Sequence, residues 1–255
     1  MKIINVFFSA TDTTRRVVME IAKQMGNEWQ SYDLTKNAMT EDVNVGTDDV
    51  LLVGMPVYGG RIPAPVVYSL KRFKGRHTPA ILVAVYGNRA VDDAFVEMQD
   101  IVEGNGFFVM AAGAFVAQHS IFPHTAQGRP DEKDMEKIRK FASQCTEKIN
   151  RGYSDNTPSI HLPGNRPYKI PGKIPLKVTT NSHCTECGTC IKVCPMGAIP
   201  KENPHVTDYD RCIHCGRCIS HCKEHVRGYS GLLYRIAGFM FGRKNSKRQE
   251  PEVYL

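Results

Sequence analysis

The sequence predicts two units: an α/β unit with a doubly wound parallel sheet, followed by a small α+β unit built around cysteines. Apolar strand-like runs alternate with helical patterns through the first three fifths of the chain, which is the order of a parallel sheet with helices on both faces. Eight of the nine cysteines then fall between residues 184 and 222. The length of 255 residues fits one or two domains of about 150 residues each.

The alternation gives a specific order of elements. A first strand is predicted at residues 2–8, which are apolar, β-branched or aromatic. A hydroxyl-rich turn follows, and apolar residues then recur at helical spacing from Val17 to Met25, before Gly26. Further strands are predicted near 28–33, 49–54, 80–86 and 107–116, with helices near 64–73, 90–104 and 131–150. In such sheets ligands bind beyond the carboxyl ends of the strands, where the strand order reverses.

Three of these strand ends carry unusual loops, which supply the candidate ligand-binding residues. The loops comprise Ser9, Ala10, Thr11, Asp12, Thr13 and Thr14; Pro56, Val57, Tyr58, Gly59, Gly60 and Arg61; and Tyr86, Gly87, Asn88 and Arg89. The first loop leads into a helix N-terminus, where N–H groups, hydroxyls and the helix dipole favour a phosphate. Taken alone, the same segment is equally consistent with a capped helix that binds nothing.

The cysteines repeat one pattern twice. Residues 184–194 and 212–222 both read C-x₂-C-x₂-C-x₃-C, the spacing of bacterial [4Fe–4S] ligation, in which the fourth cysteine binds the other cluster. The predicted ligands are Cys184, Cys187, Cys190 and Cys222 for one cluster, and Cys212, Cys215, Cys218 and Cys194 for the second. Zinc is the main alternative, but structural zinc sites favour two ligand pairs separated by a longer loop.

The charge of the chain is concentrated near the cysteines. The net charge is +7, and residues 156–255 hold 15 basic and 7 acidic side chains against 18 and 19 in residues 1–155. An oxidised cube with four thiolates carries a charge of about −2. We therefore expect the basic excess to compensate buried inorganic anions, and we expect no nucleic-acid partner. The remaining excess favours an acidic redox protein as partner.

The layout resembles flavodoxin, and more closely the fused flavodoxin–ferredoxin proteins of anaerobic bacteria. The first loop is similar to the flavodoxin phosphate loop S/T-x-T-G-x-T, with Asp12 in place of its glycine. The stretches Tyr-Gly-Asn-Arg at 86–89 and Ala-Gln-His-Ser at 117–120 also look like the fused family. The resemblance implies a flavodoxin-like sheet of five strands in the order 2-1-3-4-5, followed by a bacterial-type 2[4Fe–4S] ferredoxin domain.

The resemblance also implies a cofactor, FMN, and roles for the loops. Residues 9–14 are expected to bind its phosphate, and Tyr58 or Tyr86 to stack on the flavin ring. Gly59 and Gly60 would allow a close approach of the backbone to the ring. Arg61 would place a cation beside the ring and favour its reduced anionic form. A half-buried anchor for each tyrosine and a solvated loop arginine are the alternatives.

The expected organisation has four parts. They are a flavodoxin-like domain at 1–152, a proline-rich linker at 153–181, a ferredoxin-like domain at 182–228, and an amphipathic helix with a basic tail at 229–255. The linker could lay the cysteine domain over the three loops, since an extended chain spans about 3 Å per residue. The last helix is expected to pack on the body of the protein; attachment to a membrane surface is its alternative. Cys145 lies on an apolar helix face and is expected in the core.

These expectations combine into a functional hypothesis. The protein is expected to be a cytoplasmic electron carrier that passes low-potential electrons between two [4Fe–4S] clusters and FMN. Two other functions remain open: a flavin-dependent reductase of a small molecule, and a regulatory protein that senses redox state. The sequence contains no G-x-G-x-x-G fingerprint, so a built-in nicotinamide site is not expected.

Overall fold

The computed structural model describes residues 1–26, 28–154, 156–172 and 174–255. Strands and helices alternate through the first part of the chain, and short elements surround the cysteines. In chain order they are β1 (Ile3–Phe7), α1 (Thr13–Met25), β2 (Trp29–Asp33), β3 (Val43–Asn44), β4 (Val50–Pro56), α2 (Val66–Leu70), β5 (Phe73–Lys74), β6 (Thr78–Tyr86), α3 (Ala94–Glu103), β7 (Phe107–Val116), α4 (Glu132–Asn150), β8 (Val178–Thr180), α5 (Thr189–Val193), α6 (Arg217–Ser220), β9 (Arg227–Tyr229), α7 (Leu232–Lys244) and β10 (Glu252–Tyr254).

The main sheet has six strands in the order β10-β7-β6-β4-β1-β2. Its five parallel strands have the predicted order 2-1-3-4-5, which is that of flavodoxin-like folds. The sixth strand, β10, was not predicted. It pairs antiparallel with β7, with Val253 opposite Gly113, and thus covers an edge that five strands would leave open.

Helices cover both faces of this sheet because its central strands are apolar on both sides. Every residue of β4, β6 and β7 is buried. On one face α1 and α4 pack through residues such as Ile21 and Phe141; on the other, α3 packs through Phe95 and Met98. Cys145 of α4 is fully buried in the first of these layers, as expected.

One helix is much shorter than predicted. The expected helix at 64–73 is limited to Val66–Leu70, because Pro63 and Pro65 precede it and Phe73 already belongs to β5. Strand β5 pairs parallel with β3, with Val43 opposite Phe73. Tertiary pairing at Phe73 therefore replaces the last turn that the apolar pattern suggested.

The proline-rich linker lies along the surface of the flavodoxin-like unit. Ile160 donates its N–H to the carbonyl of Val109. The buried carboxylate of Asp93 accepts the N–H groups of Asn165 and Lys169 at 2.8 and 2.6 Å, and these bonds hold the pKa of Asp93 below its usual value. These contacts fix the path of the chain toward the loops at the sheet's carboxyl edge.

The segment after α7 is bonded to the same unit around a buried ion pair. Arg129 binds Asp134 through both a 2.8 Å Nε–Oδ2 bond and an Nη2–Oδ1 contact, and both side chains are buried. Arg129 also donates to the carbonyl of Gln249 at 2.7 Å. Arg248 donates to Asp131, the N-cap residue of α4, at 2.7 Å. Among the described residues, no helix is long and apolar enough to cross a membrane.

We predict that Arg129→Ala lowers the free energy of unfolding by about 3–5 kcal/mol, because it leaves the buried Asp134 carboxylate without its main partner. Urea unfolding followed by circular dichroism measures this change. Arg139→Ala is the matched control: Arg139 pairs with Glu20 and Glu132 at the surface, where a pair contributes about 0–1 kcal/mol. Equal losses in the two variants would contradict a structural role for the buried pair.

Candidate functional site

The eight clustered cysteines line two separate cavities. Cys184, Cys187, Cys190 and Cys222 line one of them, here called the outer cavity. Cys194, Cys212, Cys215 and Cys218 line the other, the inner cavity. Each cavity thus combines three cysteines of one motif with the fourth of the other, which is the crossed arrangement expected from the spacing.

The two motifs fold alike because they need the same backbone geometry. In each, the residue before the second cysteine and the glycine after it have positive φ: Glu186 and Gly188 in the first motif, His214 and Gly216 in the second. Each glycine is the N-cap of a short helix, α5 or α6, that carries the third cysteine. Glycine adopts this conformation without strain, so the C-G step fixes the turn that directs the thiols inward.

Burial and hydrogen bonds distinguish individual thiols. Burial raises the pKa of Cys215 to about 12, whereas the hydroxyl of Thr189, 3.3 Å from the Cys187 sulfur, lowers the pKa of that exposed thiol. The N–H of Ala198 donates to the sulfur of Cys194 at 3.3 Å. In the described parts of the chain, no three His, Cys, Asp or Glu side chains are placed to bind a single metal ion.

Arg227, on β9, brings a buried positive charge to both cavities. It lines the outer cavity. Burial raises the pKa of Cys190 and of the inner-cavity thiols Cys212 and Cys218, and the positive charge of Arg227 opposes part of that rise. Its Nη1 donates to Thr180 at 3.0 Å, while its buried Nε–H has no partner in the described structure. An orphaned cationic donor beside thiolates fits an anionic inorganic cluster, whose sulfides accept hydrogen bonds. The sequence offered no signal for this residue beyond the local basic excess.

The three candidate loops converge on a third cavity, of about 60 Å³. Its lining contains members of all three: Thr11, Thr13, Thr14, Pro56, Val57, Tyr58, Tyr86 and Gly87. Tyr86 is buried at the end of β6, and burial raises its pKa to about 12. The topology of the sheet explains why the three loops lie together, because β1, β4 and β6 are parallel neighbours whose carboxyl ends share one edge.

The first loop has the geometry of an anion-binding turn. Asp12 is exposed and left-handed, with φ of 60°, a conformation that aspartate tolerates. The N–H of Ser9 donates to Thr35 at 2.6 Å, and the Ser9 hydroxyl accepts from the N–H of Arg15 at 3.0 Å. These bonds hold the loop against α1, so the amides at the start of the helix face the shared cavity.

The second loop is a tight hairpin in which Arg61 has another task than expected. Tyr58 and Arg61 exchange backbone hydrogen bonds across Gly59 and Gly60, whose φ values are 61° and 90°. The Arg61 guanidinium binds both oxygens of the buried Glu97, at 2.6 and 2.7 Å, and also donates to a linker carbonyl. The side chain of Arg61 is thus bonded to α3 and the linker, and its place beside a flavin stays a prediction.

The third loop also differs from expectation at two side chains. The amide of Asn88 donates to the carbonyls of Asn245 and Lys247 at 2.8 and 2.9 Å and accepts the N–H of Gln249 at 3.1 Å. Arg89 pairs with Asp92. Both side chains therefore stabilise the surrounding chain, and Asn88 anchors the segment after α7. Of this loop, Tyr86 and Gly87 remain at the cavity.

The second cysteine motif sits directly on the loops. The buried Arg217 donates to the carbonyls of Ser9 and Ala10 at 3.0 and 3.2 Å. Cys215 belongs to the hydrophobic core of the flavodoxin-like unit, in which Tyr58 also packs. Burial, followed by the nearby Cys215, raises the pKa of Tyr58 well above its ordinary value. The inner cavity is therefore adjacent to the loop cavity, with Tyr58 between them.

His119 is a further residue of the loop cavity. It follows β7, and its ring lies against Gly87, where a Cβ would come within 2.5 Å of it. Its Nδ1 accepts the N–H groups of Ile121 and Phe122 at 3.2 and 3.1 Å. Burial lowers its pKa to about 4, so the ring is neutral near pH 7 and carries its proton on Nε2.

Comparisons with known proteins also distinguish the cysteine-rich unit from the first part of the chain. Residues 176–223 match the family of the 4Fe-4S dicluster domain, so the cysteine-rich unit binds iron–sulfur clusters of the 4Fe-4S type. A search of curated proteins gave no match.

Solved structures with similar folds match the first part of the chain. They include the Streptococcus pneumoniae TIGR4 flavodoxin, with 15% identity and a TM-score of 0.42, covering 58% of this chain and 99% of its own. A Fusobacterium nucleatum flavodoxin bound to flavin mononucleotide has 14% identity and a TM-score of 0.38, over 60% and 99%. A Bacillus anthracis azoreductase has 10% identity and a TM-score of 0.41, over 58% and 100%.

Because these TM-scores are low, the fold of this unit is assigned from the strand order of the chain itself, which is flavodoxin-like. The molecule thus joins a flavodoxin-like unit to a 4Fe-4S dicluster domain, the fused architecture that the sequence suggested.

We predict that Arg227→Gln lowers the iron–sulfur reduction potential by an amount on the order of 50 mV. Reduction adds negative charge to the cluster, and in this variant the positive charge that stabilises it is missing. An anaerobic titration followed by electron paramagnetic resonance measures it. Arg227→Lys should retain most of the potential, and Arg211→Gln, at an exposed arginine of the same unit, should retain all of it. An unchanged potential in Arg227→Gln would rule out this electrostatic role.

Proposed function

We propose that the protein is an electron carrier that passes low-potential electrons between two [4Fe–4S] clusters and FMN. The observation that carries the proposal is the contact of the second cysteine motif with the first two loops, through the bonds of Arg217 to Ser9 and Ala10 and the packing of Cys215 near Tyr58. Direct contact between the cysteine-rich unit and these loops favours electron transfer within the protein over chemistry on a separate small molecule. Cysteine ligands require a reducing compartment, which favours the cytoplasm.

Each cluster would be held by the four cysteines of one cavity. The outer set is Cys184, Cys187, Cys190 and Cys222, and the inner set is Cys194, Cys212, Cys215 and Cys218. The N–H of Ala198 and the hydroxyl of Thr189 stabilise thiolate sulfur at these positions, and Arg227 offsets negative charge at both. When bound, the clusters supply one-electron transfer and the flavin couples single electrons to pairs.

The loop residues fit FMN in their chemistry. Thr11, Thr13 and Thr14 provide hydroxyls and helix-start amides for one phosphate, and Tyr58 and Tyr86 provide flat aromatic surface for the ring. The cavity of about 60 Å³ is smaller than the roughly 300 Å³ or more of typical ligand sites. Binding therefore requires the loops around His119 and Tyr58 to separate.

Exposure gives the proposed route a direction. Cys187 of the outer set is exposed, whereas Cys215 of the inner set is buried against the flavodoxin-like unit. An external redox protein would therefore exchange electrons at the outer cavity, and the inner cavity would pass them to the loop site. The basic excess of residues 156–255 favours an acidic surface on that partner.

The composition of anaerobically purified protein tests the proposal. We expect about eight irons and eight sulfides per chain, together with bound FMN. Cys222→Ala should lose the outer cluster and retain the inner one, because this cysteine lines only the outer cavity. Metal analysis and electron paramagnetic resonance measure this, with Cys145→Ala, a buried cysteine away from both cavities, as the control. Loss of the inner cluster instead, or purified protein without flavin, would contradict the proposal.

A second prediction concerns the contact of Arg217 with the first loop, which attaches the cysteine-rich unit to the flavodoxin-like unit. Arg217→Gln should slow reduction of the flavin by the clusters about tenfold or more, because each hydrogen bond from a charged donor contributes about 1.5–3 kcal/mol. Stopped-flow absorbance after mixing with dithionite separates the two steps. Iron and flavin contents should match those of Arg211→Gln, the exposed control. Flavin reduction as fast as in the control would show that this contact does not govern transfer.

A further inference from the structure

Helix α7 is apolar around most of its circumference, yet only one side of it is covered. Its inner side packs on the segment after β7: Phe122 lies 5.6 Å from the ring of Tyr234 and 5.0 Å from that of Phe241, measured between centroids. The hydroxyl of Tyr234 donates to the carbonyl of Ile121 at 2.8 Å. These contacts fix which side of the helix faces outward.

The outward side is a continuous stripe of five large apolar side chains. They are Leu232, Leu233, Ile236, Phe239 and Met240, which are 49–72% exposed. Their spacing of i, i+1, i+4, i+7 and i+8 places them on one face of a helix. Isolated exposed apolar residues are ordinary, but a contiguous apolar patch marks a surface that binds something.

Basic side chains frame the stripe. Arg235 flanks it, Arg243 and Lys244 follow at its carboxyl end, and Lys247 lies just beyond the helix. None of the four has an ion-pair partner among the residues that the structure describes. The sequence contains no acidic residue between Glu224 and Glu250, so the frame carries unopposed positive charge.

This combination selects one kind of occupant. A second copy of the chain, meeting stripe to stripe, would bring two basic frames together and repel. Protein–protein interfaces are depleted in lysine at their centres, and electron-transfer contacts are small and polar. A helix with leucine and phenylalanine on one side, framed by lysine and arginine, is the pattern of helices that lie in the interface of an anionic bilayer.

We propose that α7 is a peripheral anchor that binds the surface of an anionic membrane. The 13 residues of the helix span about 20 Å at 1.5 Å per residue, so the helix lies parallel to the bilayer with the stripe among the acyl chains. Arg235, Arg243, Lys244 and Lys247 contact the lipid phosphates. This inference does not depend on the proposed electron transfer, since it uses none of the cofactor residues.

Flotation of the anaerobically purified full chain with vesicles tests the proposal. Vesicles of equal parts phosphatidylcholine and phosphatidylglycerol should bind the protein at least tenfold more strongly than vesicles of phosphatidylcholine alone. Raising the salt concentration should weaken the binding, because the Debye length shortens. Failure of the wild-type protein to float with the anionic vesicles would overturn the proposal.

Two sets of variants identify the surface. Phe239→Ser with Met240→Ser should reduce binding to anionic vesicles at least tenfold, and Arg243→Gln with Lys244→Gln should remove most of the preference for anionic lipid. The matched control is Ile170→Ser with Val206→Ser, which alters two exposed apolar residues elsewhere and should bind like wild type. Circular dichroism and iron content verify that each variant is folded.

Other outcomes would exclude the membrane assignment. Binding that survives Phe239→Ser with Met240→Ser would place the contact outside α7. A dimer in analytical ultracentrifugation that this variant abolishes, without flotation of the wild type, would assign the stripe to a second copy of the chain. Binding of α7 to an acidic redox protein, again without flotation, would assign it to that partner.

Discussion

The arrangement of the whole molecule depends on the bonds from Arg217 to the carbonyls of Ser9 and Ala10. A buried guanidinium needs acceptors, and the turn after β1 supplies two that no helix or strand uses. The residues that follow this turn, Thr11, Thr13 and Thr14, line the loop cavity. One short segment therefore serves two partners: its first carbonyls bind the cysteine domain, and its threonines are available to a ligand in the cavity.

The two units are held together by electrostatic interactions in addition to their packing. The cysteine-rich part carries most of the chain's basic excess, and its two buried arginines have different tasks. Arg227 places its charge beside thiols of both cavities, whereas Arg217 directs its charge into the neighbouring unit. Replacing either by a neutral residue leaves the fold's hydrophobic contacts in place but leaves sulfur or carbonyl groups without their donor.

The sequence was sufficient where the signal is local. The five parallel strands follow from short apolar runs, and the crossed cysteine sets follow from spacing alone. It was insufficient where partners are distant: the Arg61–Glu97 pair joins residues on separate elements, and the Asn88 amide binds a segment far along the chain. The strand Glu252–Tyr254 was missed because it is short and largely exposed, which leaves no alternating pattern to detect. Arg217 occupies a position that the C-x₂-C-x₂-C-x₃-C spacing leaves unspecified, so its burial had no sequence signature.

The sixth strand has a consequence for how the polypeptide is assembled. Residues 252–254 complete a sheet whose other strands all precede residue 117 in the sequence. The edge strand of the first unit therefore comes from a segment that follows the cysteine domain. During synthesis the five parallel strands emerge early, but β7 stays an open edge, available to other chains, until the last residues of this strand arrive. The two units are thus interleaved in the chain order, and a chain cut between them leaves β7 without its antiparallel partner.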